Sequence, residues 1–144
     1  MNVARADVVR AARGWIGTRW QHQAARRGVA CDCVGLVLGV ARELQLTDLT
    51  LPVYQRTADG VTLLAMACHH MHRIDRARLR PGDVALFRFE AYPAHMGIVA
   101  DYLHGGLSLV HASAPARAVV EHALDAVWRD RMIAAFCLPG LVDE

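Results

Sequence analysis

Along "MNVARADVVRAARGWIG" the apolar residues Val8, Ala12, Trp15 and Ile16 recur three and four positions apart between arginines, which predicts an amphipathic first helix. A polar, glycine-bounded stretch, "GTRWQHQAARRG", follows as a loop, and from Val34 the positions Val34, Leu36, Val37, Val40, Ala41 and Leu44 predict a buried helix. Asp32 stands where an N-cap would satisfy that helix's first free N–H groups. Pro52 marks a connector, and "TADGVTLLAMACHHMHRI" predicts another helix whose closing His and Arg residues suit a C-terminus.

Beyond the Pro81-Gly82 turn the pattern changes from helical spacing to runs of strand formers, beginning with "VALFRF". "HMGIVADYL" and "LSLVHASA", separated by Gly105-Gly106, predict a hairpin; "RAVVEHAL" and "RMIAAFCLPG" predict further strands of an antiparallel sheet. Helices first and strands second is an α+β arrangement, not a βαβ alternation.

The 144 residues and 54% hydrophobic content fit one domain over residues 1–144 with its own core. The net charge of +2 is spread without a basic block, so nucleic acid is not expected as a partner. All sixteen basic residues are arginine, most simply a matter of coding composition, and Arg26 and Arg27 are read as a solvated loop before a carboxylate site. No apolar run has signal-peptide or membrane-span length, so a soluble chain without export address and without membrane insertion is expected.

The stretch "GVACDCVGLVLGVA" puts Cys31 and Cys33 one residue apart at the mouth of the buried helix. C-x-C lacks the gap of common zinc knuckles and would close a strained ring as a redox pair, and His69, His70 and His72 read as a solvated helix end. No metal or cofactor is expected. A nucleophile remains: with Asp32 as cap, Cys33 lies in the first turn, where the helix dipole and free N–H groups lower a thiol pKa. Such a thiol needs an imidazole and a group to orient it. Counting outward from Gly105-Gly106 brings His95 and His111 to about the same level of adjacent strands, within hydrogen-bond reach. His104 and His122 are read as ordinary histidines, as is His22 on its own.

"DCVGLV", "RPGDVALFR", "AHMGIV" and "LVHAS", in this order, resemble the NlpC/P60 cysteine peptidases of papain-like fold, over nearly the whole chain. The run "GTRWQHQAARRGVACDCVGLV" looks most like cell-wall peptidases of phage tails and gene transfer agents. The resemblance implies Cys33 as nucleophile, His95 as general base and acid, and His111 as the residue orienting His95. It implies hydrolysis of amide bonds in peptidoglycan stem peptides, commonly beside γ-D-glutamyl residues next to diaminopimelate. Asp32 could meet a substrate amine, although capping alone would explain it. Other tail or baseplate proteins would be partners, and the particle or lysis would carry the protein to the wall. Where the family has a tyrosine that helps hold the oxyanion, this chain has Trp20, so Trp20, Gln21 or His22 completes the hole, or the hole is poorer by about 3 kcal/mol. That departure leaves a noncatalytic tail component of the same fold as an alternative, and an acyltransferase or amidase could use the same Cys-His pair. Cys31, Cys68 and Cys137 are read as structural thiols.

Overall fold

A computed structural model describes residues 2–55, 62–89 and 92–142. The first helix, α1, is Arg5–Arg13, with Val8, Val9, Ala11 and Ala12 buried. Its start is closed by Asp7, whose carboxylate accepts from the Ala4 N–H at 2.9 Å and lies at the positive end of the helix dipole. The helix ends before the predicted stripe does: Trp15 still packs inside, but Ile16 is 46% exposed.

Helix α2, Cys33–Glu43, begins where Asp32 caps it, Oδ1 accepting from the Gly35 N–H at 2.8 Å. Val34, Leu36, Val37, Val40 and Ala41 are buried, so apolar side chains surround most of the helix and make it central. Two glycines let neighbours press directly on it. A Cβ on Gly39 would lie 2.2 Å from the Trp15 ring, and one on Gly35 would lie 1.8 Å from the Ala24 carbonyl oxygen. The loop before α2 carries a small hairpin, β1 (Ala25–Arg26) with β2 (Ala30–Cys31).

Helix α3 is Thr62–His70, and the chain then turns into β3, His72–Ile74. The rest of the sheet is β4 (Val84–Phe89), β5 (Tyr92–Asp101), β6 (Leu107–Ser113), β7 (Ala118–Ala123) and, after helix α4 (Ala126–Arg131), β8 (Met132–Cys137). The six strands lie in the order β3-β8-β4-β5-β6-β7, with every pair antiparallel.

This is the predicted α+β arrangement with three differences. The helix read through "CHHMHRI" stops at His70, because the next residues form a short, mostly exposed edge strand against β8 that shows no alternation to read; residues 57–61 of that prediction lie outside the described residues. Helix α4 has no buried residue and hence no stripe. The two-residue strands of the hairpin at Ala25–Cys31 are too short for a period.

Both faces of the sheet are covered. Val84, Leu86, Ile98, Val110 and Phe136 join α1 and α2 in the larger core. Ala85, Phe87, Val99, Leu109, Leu124 and Met132 form a smaller cluster on the other face, under Trp128 of α4. At the start of β4, fully buried Asp83 accepts from the Arg5 guanidinium and from the Arg80 N–H at 2.8 Å, which anchors α1 to the sheet.

Candidate active site

The thiol side is built by α2 and the loop before it. Cys33 is the first helical residue and half-buried, whereas Cys31, on β2, is fully buried in the core. One cysteine of the pair therefore faces a cleft and the other does not. Asp32 is 4% exposed, and its carboxylate is held on three sides: by the Gly35 N–H, by the Gln23 N–H at 2.7 Å and by the Tyr54 hydroxyl. Burial, with the Asp32 carboxylate second, pushes the Cys33 thiol up to about 12. This reverses the lowering expected of a helix start. The backbone N–H groups of Met96, Val34 and Cys33 do favour the thiolate, but loss of solvation outweighs them.

The imidazole side is built by the sheet. His95 Nε2 and His111 Nδ1 lie 2.7 Å apart, and the two residues are 9% and 3% exposed. They meet diagonally, not at one level. Strands β5 and β6 pair from Asp101↔Leu107 to Ile98↔Val110, a register that sets His111 opposite Gly97. Side chains two apart share a face, so the His95 ring leans across Gly97 to reach its partner. A Cβ on Gly97 would lie 3.0 Å from the His111 Cβ and 2.7 Å from Leu109 Cδ1, so the glycine keeps that crossing open. The turn sets this register: Tyr102 N–H donates to Gly106 O at 3.0 Å, with Gly105 and Gly106 at φ +95° and +76°, so pairing begins at Asp101↔Leu107 and Gly97, not His95, stands at the level of His111. Burial, then the neighbouring His122, lowers His95 to about 4; burial, then His95 and His122, lowers His111 to about 3. Near neutral pH both rings are uncharged.

Cys33, His95 and His111 line one cleft of about 570 Å³, together with Trp20, His22 and Asp32. Gln21 is exposed and is not among the lining residues. Trp20 is set there by backbone pairing, its N–H donating to Arg117 O at 3.0 Å beside the start of β7. His22 stacks edge-on against Tyr54, with ring centroids 5.4 Å apart. Arg27 bonds the Gly14 carbonyl and Glu43 at the protein surface, in keeping with a solvated loop.

Four participants carry no sequence signal that singled them out. Tyr54 comes from the connector after Pro52 and reaches Asp32 across 22 positions. Phe89 and Trp128 wall the cleft opposite α2. His122, read as an ordinary histidine, lies with Nε2 2.8 Å from His111 Nε2. Its position on β7, where His111 pairs with Val120, puts it on the same face as His111 by the two-residue period. His69 and His70 are exposed at the end of α3, and among the described residues no cluster of His, Cys, Asp and Glu has the arrangement of a metal site.

A thiol at a helix start that shares a cleft with hydrogen-bonded imidazoles on an antiparallel sheet brings together the groups that Cys-His nucleophilic chemistry requires. The NlpC/P60 family model matches residues 16–136, and the chain belongs to that family. Its fold is similar to that of the NlpC/p60 domain of the peptidoglycan hydrolase SagA, with 18% identity, a TM-score of 0.66, and coverage of 94% of this chain and 100% of that one. An NlpC/P60 family protein from Bacillus cereus has a TM-score of 0.70 at 15% identity, matching 94% of this chain but 40% of the other. An N-acetylmuramoyl-L-alanine amidase from Bacteroides uniformis has a TM-score of 0.59 at 13% identity, with 94% and 98% of the two chains covered. At these identities the fold is what is shared. No curated protein matches the sequence.

Proposed function

We propose that the protein is a cysteine endopeptidase that hydrolyses amide bonds of peptidoglycan stem peptides. The observation that carries this reading is the half-buried Cys33 sharing one cleft with the hydrogen-bonded pair His95 and His111. In support of the substrate class, one structurally similar protein is named a peptidoglycan hydrolase and another a muramoyl-L-alanine amidase.

His95 Nε2 is engaged by His111, which leaves Nδ1 to receive the thiol proton. Because the thiol is held protonated and both rings neutral, the resting pair is uncharged, and proton transfer accompanies attack. Sγ bonds to the carbonyl carbon, the oxyanion meets N–H groups at the start of α2, and His95 returns its proton to the leaving amine. Water then cleaves the thioester, its proton passing through His95 back to Cys33. Of the residues expected to complete the oxyanion hole, Trp20 and His22 line the cleft; Trp20→Phe and His22→Phe, which keep a ring and remove its N–H, should separate them by a loss of about a hundredfold in one variant.

The run from Gly17 to Val37 carries the further proposal that the enzyme travels in the tail or baseplate of a phage or gene transfer agent and acts in the target cell's wall. Trp20 in the tyrosine position favours the second reading, a noncatalytic wall-binding component of such a particle. Digestion of diaminopimelate-type sacculi followed by mass spectrometry decides between them. Cleaved stem peptides from wild type and none from Cys33→Ala are expected; a cut between muramic acid and L-alanine would make it an amidase, and intact sacculi with folded wild type would leave the noncatalytic reading.

A further inference from the structure

The three buried or half-buried imidazoles end on a backbone carbonyl. His122 Nδ1 lies 2.9 Å from the Ala123 oxygen, His122 Nε2 2.8 Å from His111 Nε2, and His111 Nδ1 2.7 Å from His95 Nε2. A carbonyl only accepts, so His122 carries its proton on Nδ1, and a neutral ring then has a bare Nε2. That nitrogen accepts from His111 Nε2–H. His111 Nδ1 is bare in turn and accepts from His95 Nε2–H, so the lone pair of His95 is on Nδ1. With His122 neutral, reversing any link would set two lone pairs or two protons face to face at these distances.

The Trp128 ring covers the chain, with its centroid 5.0 Å from those of His111 and His122 and 6.1 Å from that of His95. Excluding water from the rings strengthens their hydrogen bonds and raises the cost of a broken link. The strand that bears His122 is itself held: Glu121, facing the other side of β7, takes a two-pronged bond from Arg13 at 3.1 and 2.9 Å and one from Ser108 at 2.6 Å.

We infer that His122, anchored on the Ala123 carbonyl, is a positioning residue that sets the tautomer of His95 through His111 and so keeps the Nδ1 lone pair available to the Cys33 proton. The use made of that lone pair rests on the peptidase reading; the tautomer does not.

The test is long-range proton–nitrogen NMR on the ¹⁵N-labelled full chain near pH 7, with side chains assigned residue by residue. Protons on Nε2 of His95 and His111 and on Nδ1 of His122 are expected, and Nδ1–H at His95 or His111 would overturn the inference. His122→Phe removes the acceptor, so His111 and His95 should lose their fixed tautomers, and kcat on muropeptides should fall about a hundredfold with KM little changed. His122→Gln, whose side-chain oxygen can accept from His111, should restore most of both. Unchanged tautomers and kcat in a folded His122→Phe protein would refute the assignment; if that variant does not fold, the wild-type tautomers and the Gln variant decide. Wild type with the stated tautomers but no hydrolysis upholds the positioning role and sinks the peptidase reading, whereas hydrolysis without those tautomers does the reverse.

Discussion

The two faces of the central sheet are built by different rules. On the helix side, Val84, Leu86, Ile98, Val110 and Phe136 meet α1 and α2 through interchangeable apolar contact. On the other side, His95, His111 and His122 hold to one another by single hydrogen bonds of 2.7 and 2.8 Å beneath one indole. Apolar packing degrades gradually when altered, because many contacts share the energy. A chain of buried polar groups does not, since each link has one partner. Stability should therefore be distributed over the helix side, and chemistry concentrated where that side's one cleft-facing thiol meets the polar face.

Variants on the two sides sharpen this contrast. The largest effect is expected from Cys33→Ala, which should lower muropeptide hydrolysis by at least about a thousandfold while leaving the thermal transition in place; Cys31→Ala, two residues away, should retain most activity per folded molecule. Next is Asp83→Ala, which removes the carboxylate that neutralises the Arg5 guanidinium at the helix-side anchor and leaves it the Pro81 carbonyl at 3.4 Å and the Cys137 sulfur at 3.7 Å. A loss of about 3–5 kcal/mol in chemical denaturation is expected, with the activity of the remaining folded protein unchanged.

Acid should act on the polar face. In the unfolded chain the His95 and His111 rings take up protons near their ordinary 6.5, but in the folded protein burial holds them neutral down to about 4 and about 3. Between these values the unfolded state binds more protons, so stability falls as pH is lowered through the window, by an amount on the order of a few kcal/mol by pH 4. Denaturation midpoints measured from pH 7 to 4 check this, and a flat profile would contradict neutral buried imidazoles. The smallest of the four is Gly97→Ala, which inserts a methyl between Leu109 and His111. It should cost about 1–3 kcal/mol and reduce kcat out of proportion to that loss, because it wedges the crossing of His95 to His111.

Much of the local structure was legible from neighbours in the chain. Asp32 as cap and Cys33 as first helical residue follow from a short polar residue before an apolar helical run. The strands from Val84 onward follow from β-branched and apolar runs between turns. What was not legible has specific causes. Helix α4 and β3 bury too little to leave a pattern. Tyr54 lies on a connector with no period, yet it completes the environment of Asp32. The direction of the Cys33 shift depends on how much of the thiol's surroundings is protein instead of water, which a helix position does not encode.

The sequence by itself determined which residue types stand at which element ends: a thiol at a helix start, histidines on strands that follow, and the order of helices before sheet. Only the tertiary structure decided how they meet. The faces of β5, β6 and β7 follow from a two-residue period, but which histidine leans on which depends on register, and register is set by the length of the Tyr102–Gly106 turn and the space at Gly97. The site is thus written in the chain as a set of candidates, and long-range pairing selects His95, His111 and His122 among them because only contacts between strands can place three rings in line.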